Sequence, residues 1–256
     1  MMQRVQMGTI MRRLIVLLLL SIFSLPLLAR TYYYTAHMQR PHGVVDFKVW
    51  VDGQKARYET ASSTDPALPA GVVVITLDGG KTINLIPASK ARILRGTAEE
   101  FLAANRMRVA KAGVTIQNVT NHALPAQVAD SILGYPTLMY EFDIAFDLVQ
   151  NGKSDHVTVR QRFWVAAALP SPNPMLRMVT NNSVGVPELD RILDANQLLM
   201  QGMPMRRDVV ITLDGRTLES TLQVGVFYPN TPVDPKLFDI PATLPVVSLT
   251  PGPLAK

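Results

Sequence analysis

The fold is decided by residues 138–165, which read LMYEFDIAFDLVQNGKSDHVTVRQRFWV. Large apolar side chains occupy every second position before Asn151-Gly152, and a second alternating run follows this dipeptide. A period of two places one set of side chains on one face of a β-strand, and Asn-Gly supplies the positive φ angles of a tight turn. The stretch therefore predicts a long antiparallel hairpin with an apolar inner face. Its inward residues would be Leu138, Tyr140, Phe142, Ile144, Phe146 and Leu148, then Val157, Val159, Phe163 and Val165.

The outward positions of the same hairpin carry opposite charges. Acidic residues lie on the first strand (Glu141, Asp143 and Asp147) and arginines on the second (Arg160 and Arg162). A row of carboxylates could hold a metal ion or transfer protons. Opposite charges on paired strands stabilise the pairing, so a solvated, ion-paired face is the favoured interpretation.

Three more turn dipeptides extend this pattern along the chain: Asp52-Gly53, Asp78-Gly79 and Asp214-Gly215. Each lies between two runs with strand-type patterning, so the chain contains four local hairpins. Such a chain folds as a mainly antiparallel sheet with one buried and one solvated face.

Two helices interrupt the strands. Thr97-Ala98-Glu99-Glu100 has the pattern of a capping box, and this helix is expected to run to about Val109. The second begins at Pro187, a favoured first helical residue, and carries an apolar stripe formed by Leu189, Ile192, Leu193, Leu199 and Met200. The predicted fold class is α+β and mainly β, with helices covering the concave face of a curved antiparallel sheet that forms an unclosed β-barrel.

The N-terminus has the layout of a secretory signal peptide. A basic pair, Arg12-Arg13, precedes a short apolar run and a stretch that ends at Ala29. The apolar run is about ten residues, whereas a membrane span needs roughly twenty. We expect cleavage after about Ala29, with an uncleaved signal anchor as the alternative, and translation could begin at Met1 or Met11. The chain has no cysteine, so it lacks the residue that carries a lipid anchor. We therefore predict a periplasmic protein, or alternatively a secreted one, without a permanent membrane anchor.

The charge of the chain argues against a nucleic-acid partner. Three of its 25 basic residues (Arg4, Arg12 and Arg13) and none of its 20 acidic residues lie in the predicted signal peptide, so the mature chain is nearly neutral. Its lysines and arginines are scattered, whereas nucleic-acid surfaces cluster them. Three segments are predicted: a signal peptide over 1–29, a single domain over 30–241 and a Pro-rich tail over 242–256.

No pattern in the sequence indicates catalysis or a cofactor. The four histidines are isolated in sequence, and nothing near His37 and His42 completes a zinc site. Ser154-Asp155-His156 cannot act as a triad in sequence order, because neighbouring strand residues point to opposite faces. Triads assembled from distant residues stay open as an alternative.

The order of several motifs resembles the lipoprotein-carrier (LolA/LolB-like) superfamily, including its uncharacterised periplasmic families. The motifs span about residues 31–241 and are short. They are Val49-Trp50-Val51-Asp52-Gly53-Gln54-Lys55-Ala56-Arg57-Tyr58-Glu59, Ile75-Thr76-Leu77-Asp78-Gly79-Gly80-Lys81 continuing to Pro87, Leu133-Gly134-Tyr135-Pro136, Phe163-Trp164-Val165-Ala166 and Phe238-Asp239-Ile240-Pro241.

The resemblance implies an unclosed β-barrel with helical lids, whose apolar hollow holds acyl chains or another lipid. It also implies a basic group after the first turn, for which Arg57 is the match. Two departures limit the comparison: the membrane-bound receptor type is excluded by the missing cysteine, and the neutral charge offers no evident electrostatic match to a partner.

Two functional hypotheses follow, and an exported hydrolase is the weakest third. The first is a non-catalytic binder of a lipid, an acyl chain or a lipoprotein. The second is a module that interacts with envelope proteins or senses envelope state, with a packed core and no ligand. The residues predicted to line the hollow are Tyr140, Phe142, Ile144, Phe146, Phe163, Val165, Leu222 and Val224, together with Arg57.

Overall fold

The computed structural model describes residues 31–170 and 185–249. The predicted signal peptide lies outside these ranges, as do residues 250–256 of the predicted tail. Within them the chain is mainly β, as predicted, and its strands form one large unclosed sheet. The strands are β1 (Thr31–Arg40), β2 (Gly43–Asp52), β3 (Lys55–Ser63), β4 (Val73–Thr76), β5 (Ile83–Ile86), β6 (Ile93–Gly96), β7 (Val114–Ala123), β8 (Gln127–Ile132), β9 (Tyr135–Gln150), β10 (Lys153–Ala166), β11 (Met203–Leu213), β12 (Arg216–Pro229) and β13 (Val246–Ser248).

The sheet consists of two antiparallel meanders that meet where the first and last long strands pair. Strands β1 to β6 follow one another in order, β12 lies beside β1, and β11, β10 and β9 continue outward from it. β7 and β8 both pair with β9, at opposite ends of that long strand. Pairing of β1 with β12 joins segments almost two hundred residues apart, so the central part of the sheet depends on a contact that no local hairpin supplies.

The four turn dipeptides join strands as predicted. Asn151-Gly152 and Asp214-Gly215 have positive φ at both residues, which is the geometry of the tight two-residue hairpin. A further turn, Leu133-Gly134, has the same signs of φ and joins β8 to β9. The sequence analysis did not predict β7 or β8, because their exposed, polar residues give little apolar alternation.

Both predicted helices are present: α1 (Ala98–Lys111) and α2 (Pro187–Leu198). The capping box of α1 makes both expected bonds, since the Thr97 amide donates to Glu100 Oε2 at 2.7 Å and the Glu100 amide donates to Thr97 Oγ1 at 3.2 Å. The apolar stripe of α2 is buried at Leu189, but Leu199 lies beyond the helix and is exposed. No helix in the described parts of the chain is both long and apolar enough to cross a membrane.

Successive side chains along each strand point to opposite faces of the sheet, an inner face and an outer face. We define the inner face as the one that carries Tyr34, Val49, Phe142 and Val224, all of them buried. Phe101 of α1 packs against the cluster around β1 to β3 on this face, and Leu189 of α2 packs against the end of the β9–β10 hairpin. The inner face thus carries most of the core.

Residues 235–248 pack on the sheet. A 3-10 helix, Pro235–Phe238, lies against β3. Ile240 and Leu244 pack on a cluster formed by Val73, Ile75, Ile86 and Ile93. Within the predicted Pro-rich tail, β13 pairs with β6 in parallel, since three proline-free residues suffice for a short edge strand.

Candidate functional site

A cavity of about 50 Å³ lies on the inner face, between the centre of the sheet and the residues around the end of α2. Its wall comes from β1, β2, β3, β10, β11 and β12, and Gln197 and Met200 cover it from the helical side. The lining residues are Tyr34, Ala36, Phe47, Val49, Tyr58, Phe163, Gln197, Met200, Met203, Pro204, Arg207, Leu222 and Val224. The described lining is therefore mainly apolar, with one cationic side chain (Arg207) and three side chains that can form neutral hydrogen bonds (Tyr34, Tyr58 and Gln197).

Gly202 brings the end of α2 onto the sheet. Its φ is +115°, which L-residues with a side chain rarely adopt, and an added Cβ would lie 2.4 Å from the carbonyl oxygen of Ala166. This close approach lets the chain pass from Met200, above the cavity, to Met203 in its wall.

Arg207 is the cation of this wall. The alternation of β11 turns Met203, Met205, Arg207 and Val209 to the inner face, and Arg207 is only 7% exposed. Burial and, to a smaller extent, the positive charge of Arg40 lower the pKa of its guanidinium to about 10, while Tyr58 acts to raise it. The group nevertheless remains charged at neutral pH, so an apolar cavity contains a permanent positive charge.

Arg40, the cation whose charge acts on Arg207, pairs with a carboxylate. Arg40 Nη1 lies 2.9 Å from Asp65 Oδ2, and the Asp65 side chain is 1% exposed. Asp65 Oδ1 accepts a hydrogen bond from the backbone amide of Ala67. The charge of Arg40 is thus balanced locally by a buried, hydrogen-bonded carboxylate.

The tyrosines of the lining are neutral hydrogen-bonding groups. Burial raises the pKa of Tyr34 and of Tyr58, so neither hydroxyl ionises near neutral pH. Both rings also pack in the core: Tyr58 lies 4.8 Å from Phe47, and Tyr34 lies 6.4 Å from Phe227, between ring centroids. They therefore supply polar hydroxyls and rigid apolar walls together.

The residues predicted to line the hollow divide into three groups. Phe163, Leu222 and Val224 line the cavity. Tyr140, Phe142 and Val165 pack in a cluster with Phe163 and Met200. Ile144 and Phe146 pack further along the hairpin, with Leu189 of α2.

Arg57 lies on the outer face, away from the cavity. Its neighbour Tyr58 lines the cavity, and adjacent strand residues point to opposite faces. Arg57 pairs with Glu59 at 2.8 Å, donates to the backbone oxygen of Leu237 and lies over the ring of Trp50.

The sequence analysis missed Arg207, although the alternation Met203, Met205, Arg207, Val209 places a cation within an apolar set and could have indicated it.

The outer face of the β9–β10 hairpin bears the predicted ion pairs. Arg160 Nε lies 2.8 Å from Asp143 and 3.3 Å from Glu141, while Arg162 Nε lies 2.6 Å from Glu141. A wide depression of about 470 Å³ on this face is lined by these arginines, Asp143 and several threonines. The charges there neutralise one another across the strands, as the register predicts.

The histidines do not converge. His37 Nδ1 lies 2.7 Å from Asp46, and His156 Nδ1 lies 2.8 Å from Asp147. In the described ranges no three metal-ligating side chains come close enough together to hold a metal ion. Within the described residues, the cavity on the inner face is therefore the stronger candidate for a functional site.

Comparisons with known proteins identify no family for this chain. No protein-family model and no curated protein matches this chain. Among solved structures, it is similar to two crystal forms of PNGF-II, with TM-scores of 0.35 and 0.34 and 10% and 11% identity. The matches cover 86% of this chain but only 31% and 32% of the PNGF-II chains, so this chain spans about a third of their length. Likenesses at these TM-scores carry no argument about the present fold or function.

Proposed function

We propose that this protein is an exported, soluble, non-catalytic binder of an apolar ligand: a lipid, an acyl chain or the acyl part of a lipoprotein. It would act in the periplasm, with α1 and α2 covering the concave face of a half-barrel. The observation that carries the proposal is the apolar cavity between the centre of the sheet and the end of α2.

The driving force would be burial of hydrocarbon. Transfer of apolar surface out of water contributes about 25 cal/mol per Å², so about 300 Å² of acyl surface would supply roughly 7 kcal/mol before the costs of association. Phe163, Leu222 and Val224 provide matching walls, and Met200 is an adaptable one, since methionine has an unbranched, flexible side chain.

Entry of a whole acyl chain would require the cavity to grow. A buried water needs roughly 10–15 Å³ of such volume, so 50 Å³ holds only a few water-sized groups. Movement of the end of α2 would enlarge it most directly, because Gln197 and Met200 form the cover. A polar contact that restrains this movement is the reciprocal pair between Asn121 and Asn196, at 2.8 and 3.1 Å.

Native mass spectrometry and lipid extraction of protein produced in its own host test the proposal. Ala36→Leu adds three carbon atoms inside the cavity, and Thr35→Leu adds bulk to the neighbouring residue on the outer face. We expect wild type and Thr35→Leu to carry lipid and Ala36→Leu to carry much less. Recovery of no lipid from wild type would overturn the proposal.

The second candidate is a protein-interaction or envelope-sensing module with a packed core. It is supported by the small volume of the cavity and by the dense packing of Phe142, Val165 and Ile144 on the same face. It predicts wild-type protein without lipid, together with a partner captured from the envelope by crosslinking in the intact cell.

A further inference from the structure

We propose that the wide depression on the outer face of β7, β9, β10 and β11 binds a short, uncharged saccharide. The inference goes beyond the proposed function, because it concerns another class of ligand and the opposite face of the sheet. It comes from the volume of the depression, the register of the residues that line it and the balance of their charges.

The depression has the size of a ligand site. Its volume of about 470 Å³ lies within the range of roughly 300–1,000 Å³ that is usual for small-molecule pockets. A ligand of a few linked rings therefore fits it.

Short side chains form the floor of the depression. Thr212, Thr158, Ala145 and Thr120 lie in register on four neighbouring strands, and all four line it. Neighbouring strands are about 4.8 Å apart, so this row is roughly 14 Å long. The floor is thus elongated and crosses the strands, which suits a short chain of rings better than a single compact group.

A second row in register forms a wall beside this floor. It consists of Val210, Arg160, Asp143 and His122, each two residues along its strand from a residue of the floor. Arg162, two residues beyond Arg160, extends the lining further along β10. The wall therefore offers hydrogen-bond donors and acceptors on neighbouring strands.

The charges of the wall favour an uncharged ligand. Arg160 Nε lies 2.8 Å from Asp143 and 3.3 Å from Glu141, and Arg162 Nε lies 2.6 Å from Glu141. An anion would compete with these carboxylates for the arginines, and a cation would compete with the arginines for the carboxylates. A nucleic acid would need basic side chains in excess, which this balanced surface does not offer. An uncharged ligand leaves the ion pairs intact.

The hydrogen-bonding groups of the lining match a ligand rich in hydroxyls. A hydroxyl both donates and accepts, so neighbouring sugar hydroxyls can donate to Asp143 and accept from the Nη groups of Arg160. Thr158 and His122 are exposed and add further polar groups, while Val210 and the threonine methyl groups can contact sugar C–H bonds. Because ion pairs already hold the wall in place, little side-chain freedom is lost on binding.

A peptide fits the depression less well than a saccharide does. Peptides are commonly bound at a free sheet edge, in an apolar groove that takes a helix, or in a groove lined by aromatic residues. The floor here crosses the faces of four strands, and the described lining contains no phenylalanine, tyrosine or tryptophan. The observations therefore favour the saccharide.

Amide NMR titration of the full mature chain with trisaccharides tests the proposal. The uncharged probes are maltotriose, cellotriose, chitotriose and the methyl ester of trigalacturonate. Deacetylated chitotriose and trigalacturonate are the cationic and anionic counterparts, and acetylated, amidated trialanine represents an uncharged peptide. We expect at least one uncharged trisaccharide to shift the amide resonances of Thr120, Thr158 and Thr212, and to bind more tightly than the charged probes and the peptide.

Three variants locate the site. Ala145→Leu fills the floor and should abolish the shifts. Thr158→Val removes a hydroxyl at similar volume and should weaken binding about three- to tenfold, the effect of one uncharged hydrogen bond. Thr115→Val makes the same change at an exposed residue of β7 outside the depression, and should bind like wild type.

The proposal fails if no uncharged trisaccharide shifts these resonances, or if a charged probe binds more tightly than all of the uncharged ones. Equal or tighter binding of blocked trialanine at the same residues would assign the depression to peptides instead. Shifts that persist in folded Ala145→Leu would place the ligand elsewhere. If Ala145→Leu does not fold, wild-type affinity in Thr158→Val contradicts the proposal. Lipid extraction addresses the inner-face cavity separately, so the two proposals can fail independently.

Discussion

The two faces of strands β9 to β11 use arginine in opposite ways. On the outer face, Arg160 and Arg162 are about half exposed and lie across from Asp143 and Glu141 on the paired strand. On the inner face, Arg207 is buried in a cavity wall whose other described residues are uncharged. The same residue type is therefore half exposed on one face and buried on the other.

The difference separates charges that strand pairing explains from one that it does not. Exposed cross-strand pairs contribute little to stability, and strand pairing accounts for their positions. A buried guanidinium costs desolvation energy, and a hydrophobic side chain of similar volume would avoid that cost. Cross-strand pairing, which explains the exposed arginines, therefore does not by itself explain the buried one.

The largest difference between the faces should appear when apolar side chains are removed. Phe142→Ala deletes a buried ring beside Phe163 and should lower the free energy of unfolding by about 3–5 kcal/mol, from lost burial and the remaining cavity. Chemical denaturation measures this. Met139→Ala, at a half-buried outer position of the same strand, is the control and should cost clearly less. Equal losses would mean that the inner face is not the principal core.

Arg207→Met should alter stability much less than Phe142→Ala does, by under about 2 kcal/mol, because relief of desolvation offsets lost polar contacts. Urea denaturation of the two variants side by side gives the comparison. A loss as large as that of Phe142→Ala would show that the guanidinium mainly supports the fold.

Arg162→Ala removes one partner of Glu141 from the outer face and should cost about 0.5–1 kcal/mol, since Arg160 still lies 3.3 Å from the same carboxylate. The effect should shrink as salt is raised from 0.05 to 1 M, because screening weakens partly exposed pairs. Thermal unfolding at both salt concentrations measures it. A cost that is independent of salt would point to packing by the arginine stem rather than to its charge.

Two carboxylates should show small pH effects of opposite sign. Hydrogen bonds from Asn118 and His156 lower the pKa of Asp147 on the outer face, so its contribution is present above the unfolded pKa and is lost as pH falls through the folded pKa. Burial and the charge of Asp190 raise the pKa of Asp194 on α2, so its contribution is present at low pH and is lost as pH rises through the folded pKa.

Unfolding midpoints of Asp147→Asn and Asp194→Asn between pH 3 and pH 7 test these signs. At pH 7 the first variant should be less stable than wild type and the second more stable. Both differences should shrink toward acid pH, where the replaced carboxylates are protonated. The same sign in both variants would contradict the opposite pKa shifts of the two carboxylates.

The sequence predicted the local part of this fold well. Alternation in residues 138–165, the four turn dipeptides and the capping box at Thr97 each act through near neighbours, and each has the expected structure. Its failures are also local in origin: β7 and β8 are polar, the turn Leu133-Gly134 lacks an Asn or Asp, and β13 is only three residues long. Export, the predicted signal peptide and the carrier resemblance stay predictions.

The candidate site depended on contacts that no local pattern contains. Inward alternation placed Phe163, Leu222 and Val224 on the face that bears the cavity, yet it could not distinguish them from Phe142 or Ile144, which pack in the core. Whether an inward residue meets a partner or a void depends on where α2 lies and on the pairing of β1 with β12. Periodicity states which face a side chain occupies, whereas only packing between distant segments decides what lies opposite it, and so gave Arg207 its place in the cavity wall.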